Sequence, residues 1–157
     1  MDSFQSLKSQ AQQKLNVADH LLSTTYNLIK EPKLLISVME NIFQAMECAM
    51  DALLEYEKNF KSLGSYSSTF QGKFDMFRRK VATKYNISPE ILNFITELAS
   101  IIDEHKKSTV EFSRKQKLVM TDNDYNLRTL APDDVKKKLA VARKYIDQLF
   151  HIAKFEV

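Results

Sequence analysis

The sequence predicts an all-α fold: a single-domain, up-and-down bundle of about five helices with a short extended, β-hairpin-like insertion before the last helix. Three observations carry this reading. The chain has 157 residues, the length of one domain, and can bury about two thirds of its unfolded surface without a metal or disulfide. It contains only 2 Gly and 3 Pro, few of the residues that tight turns require. Residues 33–61 carry an unbroken heptad-spaced apolar series, the mark of a helix with a buried stripe.

Helix one is expected over about 6–29, where Leu7, Ala11, Leu15, Ala18, Leu22, Thr25 and Ile29 recur in steps of four and three. Pro32 ends it, because proline lacks a backbone donor and disfavours helical geometry at Glu31. The short connection makes helices one and two an antiparallel hairpin. In helix two, Leu35, Met39, Ile42, Met46, Ala49, Leu53, Tyr56 and Phe60 form the stripe. Leu34, Val38, Phe43, Met50 and Leu54 widen it. A stripe that wide marks a central helix touching several neighbours.

The Ser/Gly-rich loop 62–69 leads into helix three over about 70–85, with Phe70, Phe74, Phe77 and Val81 on one face. Ser88 is a good N-cap and Pro89 suits a first helical position, so helix four begins there. Its face runs Ile91, Ile95, Leu98, Ile102 and His105. Ser108 and Glu111 have capping-box spacing, predicting one more short turn over 109–113. Residues 117–121 and 125–130 flank Asp122-Asn123-Asp124 and read as a small hairpin or a pair of extended arms. Pro132 followed by two aspartates opens the last helix, whose face is Val135, Leu139, Ala142, Tyr145/Ile146, Leu149 and Ile152/Ala153.

Bulk features exclude several function classes. Cys48 is the single cysteine, so no intrachain disulfide and no thiolate metal cluster can form within one chain. The N-terminal stretch has no basic region followed by an apolar one, and no apolar run reaches the roughly 18–20 residues of a membrane span. The expectation is a cytoplasmic protein with no membrane partner. A net charge of +3 does not by itself imply nucleic acid.

Gly64 and Gly72 begin no phosphate-binding loop. His20, His105 and His151 lack metal-ligand spacing. Cys48 reads as a small buried thiol. Glu40, Glu47, Asp51 and Glu55 read as a solvated face, since no Glu-x-x-His pair accompanies them. No catalytic residue, metal or cofactor is expected.

Helix two, IFQAMECAMDALLEYE, resembles the second helix of HEPN-type proteins, the prokaryotic α-helical nucleotidyltransferase-partner and RNase superfamily. The segment 124–149, DYNLRTLAPDDVKKKLAVARKYIDQL, resembles their late segment. There an extended Arg/Tyr stretch leads into a final helix with a small mid-face residue, here Ala140 or Ala142. The resemblance implies a four- or five-helix bundle, frequent homodimers and a link to RNA or nucleotides. Active members of that family cleave RNA without metal, using Arg followed after four to six residues by His. That signature is absent. His20 has no upstream arginine, the nearest one upstream of His105 is the distant Arg79, and seven residues separate Arg143 from His151.

The densest charge lies in EHKKSTVEFSRKQK, 104–117, which holds five Lys/Arg and two Glu. His105 continues an apolar helix face and has two readings: a C-terminal histidine satisfying the last carbonyls, or an acid/base or phosphate-contacting group beside Lys106 and Lys107. A second cluster is Arg78-Arg79-Lys80 with Lys84 and Tyr85. A ~17-residue helix spans about 25 Å, so the clusters make one patch only if residues 108–117 fold back. Otherwise they are two solvated faces. Phe112, Tyr125 and Arg128 lie among or after the cations. The aromatics either stack on bases while cations hold phosphates, or pin the segment to the bundle.

The leading expectation is a non-enzymatic, HEPN-like binding or assembly module. RNA or a nucleotide-bearing partner would contact residues 104–128, most of them in a basic extended arm at about 106–130, with Arg78 and Arg79 joining it. Lys106, Lys107, Arg114, Lys115 and Lys117 would neutralise phosphates. The alternatives are a diverged metal-independent ribonuclease using His105 or His151, and a purely structural protein-interaction bundle.

Overall fold

The computed structural model describes residues 3–59 and 63–154. It contains five helices and a small three-stranded antiparallel sheet that precedes the last helix. α1 comprises Ser3–His20, a π-helical turn at Leu21–Thr25 and Tyr26–Ile29. α2 is Leu34–Lys58. α3 comprises Phe70–Met76, a second π-helical turn at Phe77–Val81 and Ala82–Tyr85. α4 is Pro89–Lys107 and α5 is Pro132–Lys154. Between α4 and α5 lie β1 (Val110–Arg114), β2 (Lys117–Thr121) and β3 (Leu127–Leu130).

α2 packs against each of the other four helices. Leu35, Met39, Ile42, Met46, Ala49 and Leu53 of its heptad series are buried, as are Val38, Met50 and Leu54 beside them. Phe60 and Lys61, expected at its end, lie outside the described residues. In α1 the pattern holds through Leu22 and then slips. Tyr26 is buried where Thr25 was expected, and Ile29 is 62% exposed. The π-turn inserts one residue into the helix and so moves the apolar face on by one position.

Boundary chemistry follows the sequence closely. The Ser88 hydroxyl accepts from the Glu90 N–H, with Pro89 in the first helical turn. Thr69 caps α3 by accepting from the Gly72 N–H. Lys30 and Asn86 end their helices in the left-handed region without glycine. Asn tolerates that region; lysine does so less readily.

The insertion is more structured than expected. The segments on either side of 122–124 do pair, with Leu118 opposite Leu130 and Thr121 opposite Leu127. A third strand, β1, pairs on the other side of β2, with Val110 opposite Thr121 and Arg114 opposite Lys117. The region 110–130 is therefore a folded sheet and not an extended arm, and no helical turn forms over 109–113. Ser108 and Glu111 do bond one another, at 2.8 Å, but they tie the helix end to a strand. Leu118, Met120 and Leu130 join the helical core and anchor the sheet to it.

Candidate nucleic-acid interface

The β1–β2 connection is a two-residue turn in which both Lys115 (φ 50°) and Gln116 (φ 63°) have positive φ. That is the type I′ hairpin turn, normally built from Asn-Gly. Side chains with a Cβ pay about 1–2 kcal/mol each in this region. The turn is held from below: the Tyr26 hydroxyl donates to the Gln116 carbonyl (3.3 Å), and the Ser113 hydroxyl donates to the Glu31 carboxylate (3.3 Å). Burial, followed by the nearby Glu31 carboxylate, raises the Tyr26 pKa, so the phenol remains a donor at neutral pH.

Strand alternation divides the sheet into two faces. The inner face carries Glu111, Ser113, Leu118, Met120, Arg128 and Leu130. The outer face carries Val110, Phe112 and Arg114 on β1, Lys117, Val119 and Thr121 on β2, and Leu127 and Thr129 on β3. Phe112 is 41% exposed and Leu127 68% exposed, while Val119 is buried yet lies outside the continuous core. The outer face thus has an apolar centre, cations at the turn end and no carboxylate.

The turn gathers three of the expected phosphate ligands. Arg114, Lys115 and Lys117 are exposed, and none forms an ion pair among the described residues. Phe112 is adjacent to Arg114 along the same face and diagonal to Lys117, within reach of long side chains.

The other expected residues are placed differently. Arg128 is on the inner face and is committed to Glu104, with Nε to Oε2 at 2.5 Å and Nη2 to Oε1 at 3.1 Å. That hydrogen bonding holds the Glu104 carboxyl below the usual range, against the opposing effect of burial, and raises the Arg128 pKa. Arg128 therefore fastens β3 to α4 and does not offer its guanidinium to a phosphate. His105 Nδ1 lies 2.6 Å from Glu111 Oε2, the oxygen that also accepts from Ser108. Histidine and serine meet through the carboxylate, so this is not a nucleophile–base pair. Lys107 pairs with Asp103 at 3.0 Å, whereas Lys106 is exposed and without an ion pair among the described residues.

Tyr125 is 86% exposed in the β2–β3 turn, at the opposite end of the sheet from Lys117 and so about 13 Å along β2. Asp122 organises that turn by accepting from the Asp124 and Asn126 N–H groups. Those bonds, the Asn126 backbone first, lower its pKa. Arg78 pairs with Asp75 at 3.5 Å. Arg79 is exposed, and no hydrogen bond or ion pair joins either arginine to the sheet. α3 packs on α2. The sheet thus groups Phe112, Arg114, Lys115 and Lys117; His105, Lys107 and Arg128 are tied into structural pairs.

Val110, Val119 and Leu127 of the outer face escape the sequence reading, because each belongs to a different strand and only the register unites them. Other polar sites are internal to the bundle. Lys73 joins Glu47 (3.3 Å) and Asp51 (3.2 Å), so these acids are not a free solvated face. Burial raises the Asp51 pKa despite Lys73, and raises that of Cys48, helped by Asp51 and Glu47. Glu57 is buried and bonded by Lys84 and the Tyr85 hydroxyl. A polar cavity of about 520 Å³ lies between the α4 end and β3; Lys107–Asp103 and Arg128–Glu104 pair four of its charged residues, and the fifth, Asp122, accepts from Asp124 and Asn126 in the β2–β3 turn. Among the described residues no group of three His, Cys, Asp or Glu could hold a metal, and no helix is long and apolar enough to cross a membrane.

No protein-family model matches this chain, and no curated protein or solved structure matches it.

Proposed function

We propose that this chain is a non-enzymatic binding module, HEPN-like in its helical frame, that contacts RNA or a nucleotide-bearing partner through residues 104–128. The observation that carries the reading is the Arg114–Lys115–Lys117 cluster, without an ion pair among the described residues, beside an exposed Phe112 on a face whose strand residues include no carboxylate. Elsewhere in this segment cations are mostly neutralised by neighbouring acids. Leaving three unpaired around a strained turn is what a polyanion site requires. His105 and Ser108 both bond the Glu111 carboxylate and not one another, an arrangement that supports binding over nucleophilic catalysis.

The test is fluorescence anisotropy with a labelled mixed-sequence RNA. Binding is expected to weaken as salt rises, and to be lost in the double variant Arg114→Glu, Lys117→Glu with an unchanged circular dichroism spectrum. Salt-independent binding, or none, would sink the proposal. RNA cleavage in EDTA that disappears on His105→Ala or His151→Ala would replace it with the ribonuclease reading.

A further inference from the structure

We infer that the outer face of the sheet takes single-stranded nucleic acid, stacking a base on Phe112 while Arg114, Lys115 and Lys117 hold the adjoining phosphates. This rests on the polyanion reading above and names its substrate class.

The argument is one of complementarity across a single face. Along β1 the outward positions change from apolar Val110 and Phe112 to cationic Arg114, and on β2 from cationic Lys117 to Val119 and Thr121. Charge is therefore confined to the turn end, and an apolar surface continues from it across Val119 to Leu127. A duplex offers rows of phosphates with its base faces hidden, so it would meet cations at one end only and leave Phe112 and Leu127 against charge. A single strand offers an anion and a flat π-face side by side, in the order the strand presents them.

The sheet carries one exposed aromatic on this face and three cations at one turn, so it holds a short site. Two bases is the upper range, with Leu127 beneath the second. The salt dependence should be shallow: for three phosphate contacts on a single strand, log Kobs falls with log salt at a slope of about −2.

The test measures the anisotropy of a labelled single-stranded octanucleotide RNA, with an RNA duplex of the same length and inorganic polyphosphate as competitors. Phe112→Ala is expected to weaken single-strand binding about tenfold or more, while polyphosphate affinity stays unchanged. Phe112→Tyr should restore binding, and Phe112→Leu, which keeps apolar bulk without a π-face, should not. Arg114→Glu should weaken both ligands. Duplex competing as well as single strand, or full binding by Phe112→Leu, overturns the stacking proposal but leaves the polyanion reading intact. No binding of any polyanion overturns both. A concentration-dependent dimer in sedimentation that Phe112→Ala dissociates would show the face covered by a second copy, and would also overturn it.

Discussion

Arg114 and Arg128 project from opposite faces of the same three-stranded sheet. The register places Arg114 opposite Lys117 on the outer face and Arg128 opposite Met120 on the inner one. One guanidinium stands at a turn with no ion pair among the described residues; the other is closed onto Glu104 at a strand–helix junction. Two arginines 14 positions apart in one basic segment therefore have separable roles.

Arg128→Met should lower stability while leaving RNA affinity unchanged, and Arg114→Gln should do the reverse. The Arg128–Glu104 pair is about a third exposed on each side, with side-chain exposures of 33% and 40%, so solvent screening limits the loss to about 0.5–1 kcal/mol. Urea unfolding and anisotropy on both variants check the crossed outcome.

The same pair sets an acid limb. The folded-state pKa of Glu104 is lowered, so the unfolded chain binds more protons as pH falls below its ordinary value of about 4.3. The stabilisation is complete above that value and is lost as pH drops through the lower folded value. Arg128→Met should flatten this part of the stability curve, measured by thermal unfolding from about pH 5 downwards.

Gln116→Gly should stabilise the fold by about 1 kcal/mol, since it relieves a left-handed residue in the I′ turn. The Tyr26 bond is made to the Gln116 backbone carbonyl and survives the substitution. The midpoint of urea unfolding should rise. A fall would mean that the Gln116 side chain supports the turn.

Lys73→Met leaves Asp51 with one carboxylate oxygen already buried and unbonded and removes the cation that opposes its upward pKa shift. The loss is about 2 kcal/mol at neutral pH. A carboxyl whose folded-state pKa is raised costs stability as pH climbs from its unfolded value of about 3.9 towards the folded one. The deficit of the variant should therefore shrink as pH is lowered towards about 4. A deficit independent of pH would assign the loss to packing of the Lys73 stem.

The helical frame was legible because its pattern repeats. The Leu35-to-Leu53 series could serve only a buried helix, and Ser88-Pro89 and Pro132-Asp133-Asp134 mark helix starts by local chemistry. The sheet was only half legible. In β1 the alternation Val-Glu-Phe-Ser-Arg is inverted: apolar Val110 and Phe112 face solvent, with Arg114, while Glu111 and Ser113 lie on the face towards the bundle. A core-facing strand would show the opposite. Lys-Gln also gives no hint of an I′ turn, which Asn-Gly would have announced. The π-turn at 21–25 has no sequence signature, so the slip from Thr25 to Tyr26 could not be read. The basic segment stood out by its charge, but charge alone could not separate Arg128, paired with Glu104, from Arg114, which has no ion pair among the described residues.

Backbone amide shifts during titration of the ¹⁵N-labelled protein with a single-stranded RNA test the central claim most directly. The largest changes are expected at Val110–Arg114 and Lys117–Thr121 and at Leu127 and Thr129, with Arg78 and Arg79 on α3 unmoved. Saturable shifts centred on α3 or on His105 and His151, with the sheet silent, would contradict it.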